Sequence, residues 1–356
     1  MTHNRTGSEL TFTVEPIDAD AAEAVRRRLD DKTKPVGSLG RIEEIAIRLA
    51  AIARSTELET RPRAVVIFAA DHGVVARGVS AYPAEVTAQM VRNFAAGGAA
   101  VNVLARQMDA RTVIVDMGVA CAPEWPAAVL CHRLGAGTAD MAAGPAMTIG
   151  QAREAVEQGV AIAHELSSGG VRVLLTGDMG IGNTTAAAAL TAIFTGRSPE
   201  DVTGRGTGVD DRALVRKIEV VRLALDRNRP RLEEPLDALA KVGGFEIAAL
   251  TGFILGAAAE RRPVVLDGFI AGAAALVAAA ICPSAKGYMI AGHRSAEPGH
   301  AAVLEHLGLD PLLDLGMRLG EGTGALMALP ILDAARAILV GMSSFESAGV
   351  SRRERR

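Results

Sequence analysis

The chain has little cysteine, few aromatic residues and no strong excess of either charge. Cys121, Cys131 and Cys282 are its only cysteines. An odd number with no C-x-x-C pair argues against a disulfide scaffold or a zinc ribbon and fits a reducing compartment. Aromatics make up 3% of the residues, which leaves few platforms for stacking nucleic-acid bases. With 38 Lys and Arg against 41 Asp and Glu, the formal net charge is −3. The basic excess of a nucleic-acid binder is missing, so no nucleic-acid partner is expected. The longest apolar run, Gly268–Cys282, is 15 residues, short of the ~20 a spanning helix needs. It reads as a buried helix packed on a sheet, and no membrane span is expected. Met1 to Thr13 shows no apolar core of a secretory signal, so the expected location is cytoplasmic.

What is present is the composition of a folded enzyme-sized chain. Hydrophobic residues are 49% and charged residues 22% of 356, which excludes bulk disorder. That length suggests roughly two domains, or one large α/β domain with an appendage. Residues 15–60 look helical. Asp18 or Asp20 can cap a first helix, the Lys32-Thr33-Lys34-Pro35-Val36-Gly37 stretch breaks it, and Ser38 is placed to cap a second. From residue 63 short apolar runs recur: 64–68, 112–115, 171–175 and 264–266, with weaker candidates at 128–131 and 288–291. Continuous apolar runs of this length suit strands buried on both faces. Helical patterns at 83–107 (interrupted at Gly97-Gly98), 150–167, 184–195, 210–226, 245–260 and 269–282 alternate with them. That alternation predicts a doubly wound, mostly parallel sheet. The expected layout is an α/β domain over 61–297. A small helical domain from both chain ends, 15–60 plus 298–345, lies beside it, with flexible ends at 1–14 and 346–356.

In open parallel sheets ligands bind beyond the carboxyl ends of the strands. Four such loops here carry an acid and a glycine: Asp71-His72-Gly73, Asp116-Met117-Gly118, Thr176–Thr185 and Asp267-Gly268. Any one could be ordinary turn chemistry; four at one sheet edge would line one cleft. In the third loop Gly177 and Gly182 have P-loop spacing, but Asn183 stands where the lysine would be, so a triphosphate–magnesium site is excluded. Nor does it read as the G-x-G-x-x-G of a dinucleotide site. A glycine-rich turn into a helix that opens with Thr184 and Thr185 suits one anionic group, best a monophosphate. The alternative is a tight turn with no ligand. Gly204-Arg205-Gly206-Thr207-Gly208, followed by a helix bearing Arg216 and Lys217, offers a second close approach to a ligand, or else a disordered surface loop. His72 could serve as a general base, but a loop histidine bonded to backbone is the plainer reading. His293 and His300 are off any helical metal-ligand spacing, and no metal site is expected. Glu321, between Gly320 and Gly322 at the start of an apolar helix, is either a first-turn acid or a carboxylate presented on bare backbone. An apolar neighbourhood would make it a better base.

Six ordered motifs then resemble one family, the nicotinate-nucleotide–dimethylbenzimidazole phosphoribosyltransferases. They are Asp31 to Arg41, Ala70-Asp71-His72-Gly73-Val74, Gly180 to Thr185, Lys241 to Phe245, Leu266-Asp267-Gly268-Phe269 and Met317 to Gly322. The likeness runs from about residue 20 to 345. It implies a Rossmann-like domain, a small helical domain from both termini and a homodimer. The implied reaction moves phosphoribose from nicotinate mononucleotide to 5,6-dimethylbenzimidazole, giving α-ribazole 5′-phosphate for the lower ligand of cobalamin, with no cofactor. The resemblance implies catalytic roles for Glu321 and Asp178. Gly177, Gly180, Asn183, Thr184, Gly206, Lys217 and Ser295 are implied on the phosphate and ribose. Asp71, Tyr82, Met90 and Leu319 are implied on the base, and Asp267 and Gly268 on the nicotinate side. Relatives carry a serine and a glutamine in the base pocket, at places read here as Tyr82 and Met90, so an apolar pocket is expected. A different azole or purine base is the alternative acceptor. A dinucleotide-dependent oxidoreductase and a non-catalytic nucleotide-binding module are the competing classes.

Overall fold

The structure, a computed structural model, describes residues 12–121 and 124–351. Its centre is a sheet of β1 (Arg63–Ala70), β2 (Arg111–Gly118), β3 (Val129–Cys131), β4 (Val173–Met179), β5 (Val264–Leu266) and β6 (Met289–Ala291). The spatial order is β3-β2-β1-β4-β5-β6, and every pairing is parallel. The apolar runs form these strands because each strand meets helices on both faces. Along β1 all eight residues are buried. Val65, Ile67 and Ala69 join one core, whereas Ala64, Val66, Phe68 and Ala70 join the other, as the period of two requires.

The first core is covered by α1 (Ala19–Asp30), α2 (Arg41–Ala53), α3 (Glu85–Ala96) and α4 (Ala100–Gln107). The opposite core is covered by α5 (Ile149–Ser168), α6 (Asn183–Thr195), α7 (Pro199–Val202), α8 (Asp211–Asn228), α9 (Pro235–Val242), α10 (Phe245–Ala259), α11 (Phe269–Ile281) and α12 (Pro298–Leu307). Finally α13 (Thr323–Gly341) returns to the first face, against α2, α4 and β4. Strand order reverses at β1, so the carboxyl ends of β1 and β4 mark the switch point where such sheets open a crevice.

Several local expectations change. Asp18 does cap α1, accepting from the Ala21 amide at 2.9 Å. Ser38 does not cap α2, which begins at Arg41 with Gly40 before it. Glu43 reaches back instead, accepting from the Leu39 amide at 2.9 Å and pairing with buried Lys34 at 2.8 Å. The terminal helices divide: α1, α2 and α13 pack together, but α12 packs on α11 and α6 in the opposite layer. The unpredicted α9 lies among α5, α6, α8 and α11. Of the ends expected to be flexible, 1–11 and 352–356 lie outside the described residues. Val14 is buried, and its carbonyl accepts from Ser284 Oγ at 2.6 Å. By length and composition α13 could cross a membrane. Here it is a core helix, with Ala325, Leu326, Ala328, Leu329, Leu332 and Ala335 wholly buried. Its Asp333 accepts two bonds from buried Arg63 at 3.0 Å.

Candidate active site

A cavity of about 750 Å³ opens at the carboxyl ends of β4, β5 and β6. Loops from distant parts of the chain converge on it. The end of β4 contributes Asp178 and Met179, the turn after it Gly180 and Ile181, and the start of α6 Asn183 and Thr184. The loop after β5 gives Gly268, Phe269 and Ile270, and the segment after β6 gives Ser295 and Glu297. Tyr82, Val86 and Met90 form an apolar wall from α3 and the loop before it. Gly206 and Thr207, with Arg318, Leu319, Gly320 and Glu321, complete the lining.

Glu321 sits on an unusual backbone. Gly320, Glu321 and Gly322 all have positive φ, at 80°, 63° and 91°. Glycine tolerates that region and glutamate does not favour it, so strain is concentrated at the one residue of the three with a carboxylate. The arch closes on itself, since the Thr323 hydroxyl donates to the Gly320 carbonyl at 2.8 Å. It rests on the β1–β4 pair at the switch point, where a Cβ on Gly177 would stand 2.8 Å from the Glu321 carbonyl oxygen. The Glu321 side chain is 5% exposed, and its Oε2 is buried with no hydrogen-bond partner. Burial, helped by the charge of Asp267, pushes its pKa up to about 7.

Asp178 faces the same arch and is held by Asn183, whose Nδ2 donates to Oδ2 at 3.0 Å. Burial, then the charges of Asp267 and Glu246, raise its pKa well above the usual carboxylate range; the Asn183 bond opposes them. Lys217 is wholly buried behind the cavity wall. Its Nζ donates to Thr184 Oγ1 at 2.8 Å and to the Gly204 carbonyl at 3.0 Å. Burial lowers its pKa to about 8, with Glu297 pulling the other way.

The structure thus brings Glu321, Asp178, Gly180, Asn183, Thr184, Gly206, Ser295, Tyr82, Met90, Leu319 and Gly268 to one cavity, and leaves four expected site residues out of its wall. Gly177 lies inside β4, where its lack of a side chain makes room for the arch. Lys217 touches the cavity only through Thr184 and the glycine turn. Asp71 lies outside the lining: its Oδ2 accepts the Ala120 amide at 2.8 Å and ties the ends of β1 and β2 together. Asp267 also lies outside the lining, and its carboxylate accepts the amides at the start of α13. Asn183 lines the cavity, with one side-chain N–H given to Asp178.

Other expectations are corrected in the same way. His72 is no backbone-bonded loop histidine. It is buried with Nε2 2.5 Å from Glu246 Oε1. Burial pulls its pKa down, but the charge and bond of Glu246 leave it raised overall. The 204–208 turn is built in: the Gly206 amide donates to Glu297 Oε1 at 3.0 Å, and its carbonyl accepts from Arg318 at 2.9 Å. Ser295 Oγ accepts the Glu297 amide at 3.3 Å. A serine and a glutamine do stand in the base segment, at Ser80 and Gln89. Ser80 Oγ lies 3.3 Å from Thr207 Oγ1, and neither lines the cavity, whereas Tyr82 and Met90 do.

Sequence reasoning missed Glu297, Arg318 and Glu246. Arg318 was legible as the first residue of the string ending in Glu321. Nothing local marks Glu297 or Glu246, whose roles come from chain segments 91 and 174 residues away. Among the described residues, no three His, Cys, Asp or Glu side chains are grouped to hold a metal ion.

The comparisons agree along nearly the whole chain. A family model described as a phosphoribosyltransferase matches residues 14–350. The nicotinate-nucleotide–dimethylbenzimidazole phosphoribosyltransferase of Chloroflexus aurantiacus is 57% identical over 94% of this chain and 96% of that one. The protein of the same name from a Roseiflexus species is 54% identical over 97% and 98%. The crystal structure of the enzyme so named from Thermus thermophilus superposes with a TM-score of 0.90 at 46% identity, covering 95% of this chain and 100% of that one. Shared sequence, shared fold and a cavity at the switch point of the sheet together place this chain in the nicotinate-nucleotide–dimethylbenzimidazole phosphoribosyltransferase family.

Proposed function

We propose that this protein transfers the phosphoribosyl group of nicotinate mononucleotide to 5,6-dimethylbenzimidazole, releasing nicotinate and forming α-ribazole 5′-phosphate for the lower ligand of cobalamin. It is a pentosyltransferase. The observation that carries the mechanism is Glu321, a buried carboxylate with an unpartnered oxygen on a strained arch, and a pKa of about 7.

The donor carries its own leaving group, a pyridinium. A benzimidazole nitrogen attacks C1′ of the ribose. The bond from C1′ to the pyridinium nitrogen breaks, and its electron pair stays on that nitrogen as nicotinate departs. The new bond makes the benzimidazole ring cationic, and its other N–H proton passes to Glu321. A base whose pKa lies near the working pH suits that transfer, which is worth about 10²–10⁴-fold. Attack opposite the leaving group inverts C1′, which accounts for an α product from a β substrate. Holding two flat rings on opposite faces of one ribose adds up to about 7–11 kcal/mol through orientation.

The phosphate is assigned to the turn of Gly180, Thr184 and Gly206, with Lys217 behind it. The backbone of a strand-to-helix turn can approach an anion closely, and a lysine with pKa about 8 stays mostly charged at neutral pH. The base is assigned to the wall of Tyr82, Val86, Met90 and Leu319. Asp178, held by Asn183 beside the arch, completes the acid pair. A homodimer in the cytoplasm, implied by the family resemblance, belongs to the same proposal; the three free cysteines suit a reducing compartment.

The test is to follow nicotinate release from nicotinate mononucleotide with dimethylbenzimidazole, in the wild type and in folded Glu321→Gln. Release in the wild type, with kcat at least ~100-fold lower in the variant, is expected. A folded variant within a few-fold of the wild type would overturn the base assignment.

A further inference from the structure

Asp267 was expected to touch the nicotinate, yet the structure buries it completely and turns it toward the protein. It follows β5, and its Oδ1 accepts the Gly324 amide at 2.7 Å and the Ala325 amide at 3.1 Å. Its Oδ2 accepts the Gly322 amide at 3.0 Å. Its own amide donates to Thr176 Oγ1 at 2.9 Å, fixing the carboxylate to β4 from below. The first amides of a helix have no partner within it, and a carboxylate satisfies them well. These are the amides that immediately follow Glu321. A three-residue run of positive φ is not self-supporting at a glutamate; it persists only if its surroundings over-determine it.

We infer that Asp267 is a positioning residue, which holds Glu321 on its left-handed arch by anchoring the amides of Gly322, Gly324 and Ala325 to the end of β5. The inference rests on the reading of Glu321 as the base. Asp267 also acts through its charge. The titratable groups of this region are Asp178 from β4, Asp267 just after β5, His293 from the segment after β6 and Glu246 from α10; Arg318, on the arch's own loop, donates to the Gly206 carbonyl. His293 is buried, with Nε2 3.6 Å from Asp267 Oδ1. Asp267 is the neighbour whose charge adds to burial in raising Glu321. One carboxylate therefore places the base and keeps it basic near neutral pH.

Asp267→Asn keeps the shape and one acceptor oxygen but removes the charge. We expect kcat to fall at least ~10-fold, KM for both substrates to stay within about threefold, and the acidic limb of the pH–rate profile to move below its wild-type position. The double variant Asp267→Asn with Glu321→Gln should be no slower than Glu321→Gln alone, because the first residue acts through the second. If KM for nicotinate mononucleotide rises with the acidic limb unmoved, Asp267 binds substrate and the inference is wrong. A lower Tm with an unmoved limb, and losses that multiply in the double variant, would mean general structural support and also overturn it. Should Asp267→Asn fail to fold, Thr176→Val removes only the hydroxyl that fixes Asp267. It should lower kcat a few-fold with KM unchanged, and an unchanged kcat would count against the inference. Failure of the base reading is seen separately, as activity retained in Glu321→Gln alone.

Discussion

Glu321 in the cavity wall and Lys217 behind it are groups of opposite charge that burial drives toward neutrality, and they end in different states. Glu321 rises to about 7; Lys217 falls to about 8. Desolvation is the first cause of both, as for any ionisable group taken from water. The neighbours then differ. Asp267 is a like charge and adds to the shift of Glu321, whereas Glu297 is an opposite charge and resists the shift of Lys217. The carboxylate is left able to take up a proton near pH 7, and the lysine keeps its charge there. Their scaffolds differ too. Glu321 stands on three positive-φ residues, and Lys217 on the regular helix α8. A base must reach its proton within hydrogen-bond distance, but a cation can act on a phosphate through Thr184 and the glycine turn.

The comparison breaks most sharply at Glu321. Beyond the loss of kcat, Glu321→Gln should be the more stable protein at pH 8. Below pH 4.5 the carboxylate is protonated both folded and unfolded; between 4.5 and about 7 only the folded state keeps its proton. Stability is therefore lost as pH rises through that window, on the order of 2–3 kcal/mol, and glutamine escapes the loss. Thermal denaturation at pH 5 and pH 8 measures it; equal Tm differences at the two values would contradict the buried, raised carboxylate.

Lys217→Ala probes the other group. Removing a buried charged donor should weaken nicotinate mononucleotide about 10–100-fold and spare dimethylbenzimidazole, which carries no phosphate. Calorimetry with each ligand decides this, and equal losses would indicate that the variant has lost its fold rather than its anion contact. The two groups together predict a narrow bell for kcat/KM. Activity rises through about pH 7 as Glu321 loses its proton and declines above about 8 as Lys217 loses its own. Glu321→Gln should lose the acidic limb alone, and Lys217→Ala the basic limb alone.

The smallest expected effect lies at the apolar wall. Tyr82 is half exposed at the mouth, and Met90 lines the same wall. Such a wall selects by shape, and a methyl group is worth about 1–3 kcal/mol there. The two methyl groups together should make dimethylbenzimidazole preferred over benzimidazole by at least about 30-fold, with adenine a poor acceptor because its polar edges go unpaired. Steady-state kcat/KM for the three bases, in the wild type and in a Tyr82→Ser, Met90→Gln double variant, checks this. Adenine equal to dimethylbenzimidazole, or ratios unchanged by the variant, would move the base elsewhere.

The strands and most helices were legible because buried parallel strands need apolar runs, and 64–68 or 171–175 can be little else, though β4 begins at Val173 and runs on to Met179. The sequence likewise carried the motif strings, and hence the family, the sheet edge that bears the site, and Glu321 flanked by two glycines. Ser38 does not cap because its local preference lost to Glu43, which takes the Leu39 amide and also has Lys34 to pair with. Only the tertiary structure decided which acids face the cavity. Asp71 and Asp267 have nearly the same local setting as Asp178, an acid at or just past the carboxyl end of a buried strand. What separates them is whether a neighbouring segment supplies amide protons: Ala120 does so for Asp71, and the start of α13 does so for Asp267. Likewise the pairing of His72 with Glu246, and of Gly206 with Glu297, joins segments 174 and 91 residues apart. Local sequence fixes which backbone conformations are cheap. Which charge is buried beside which is fixed by packing, and that sets the protonation of Glu321 and Lys217.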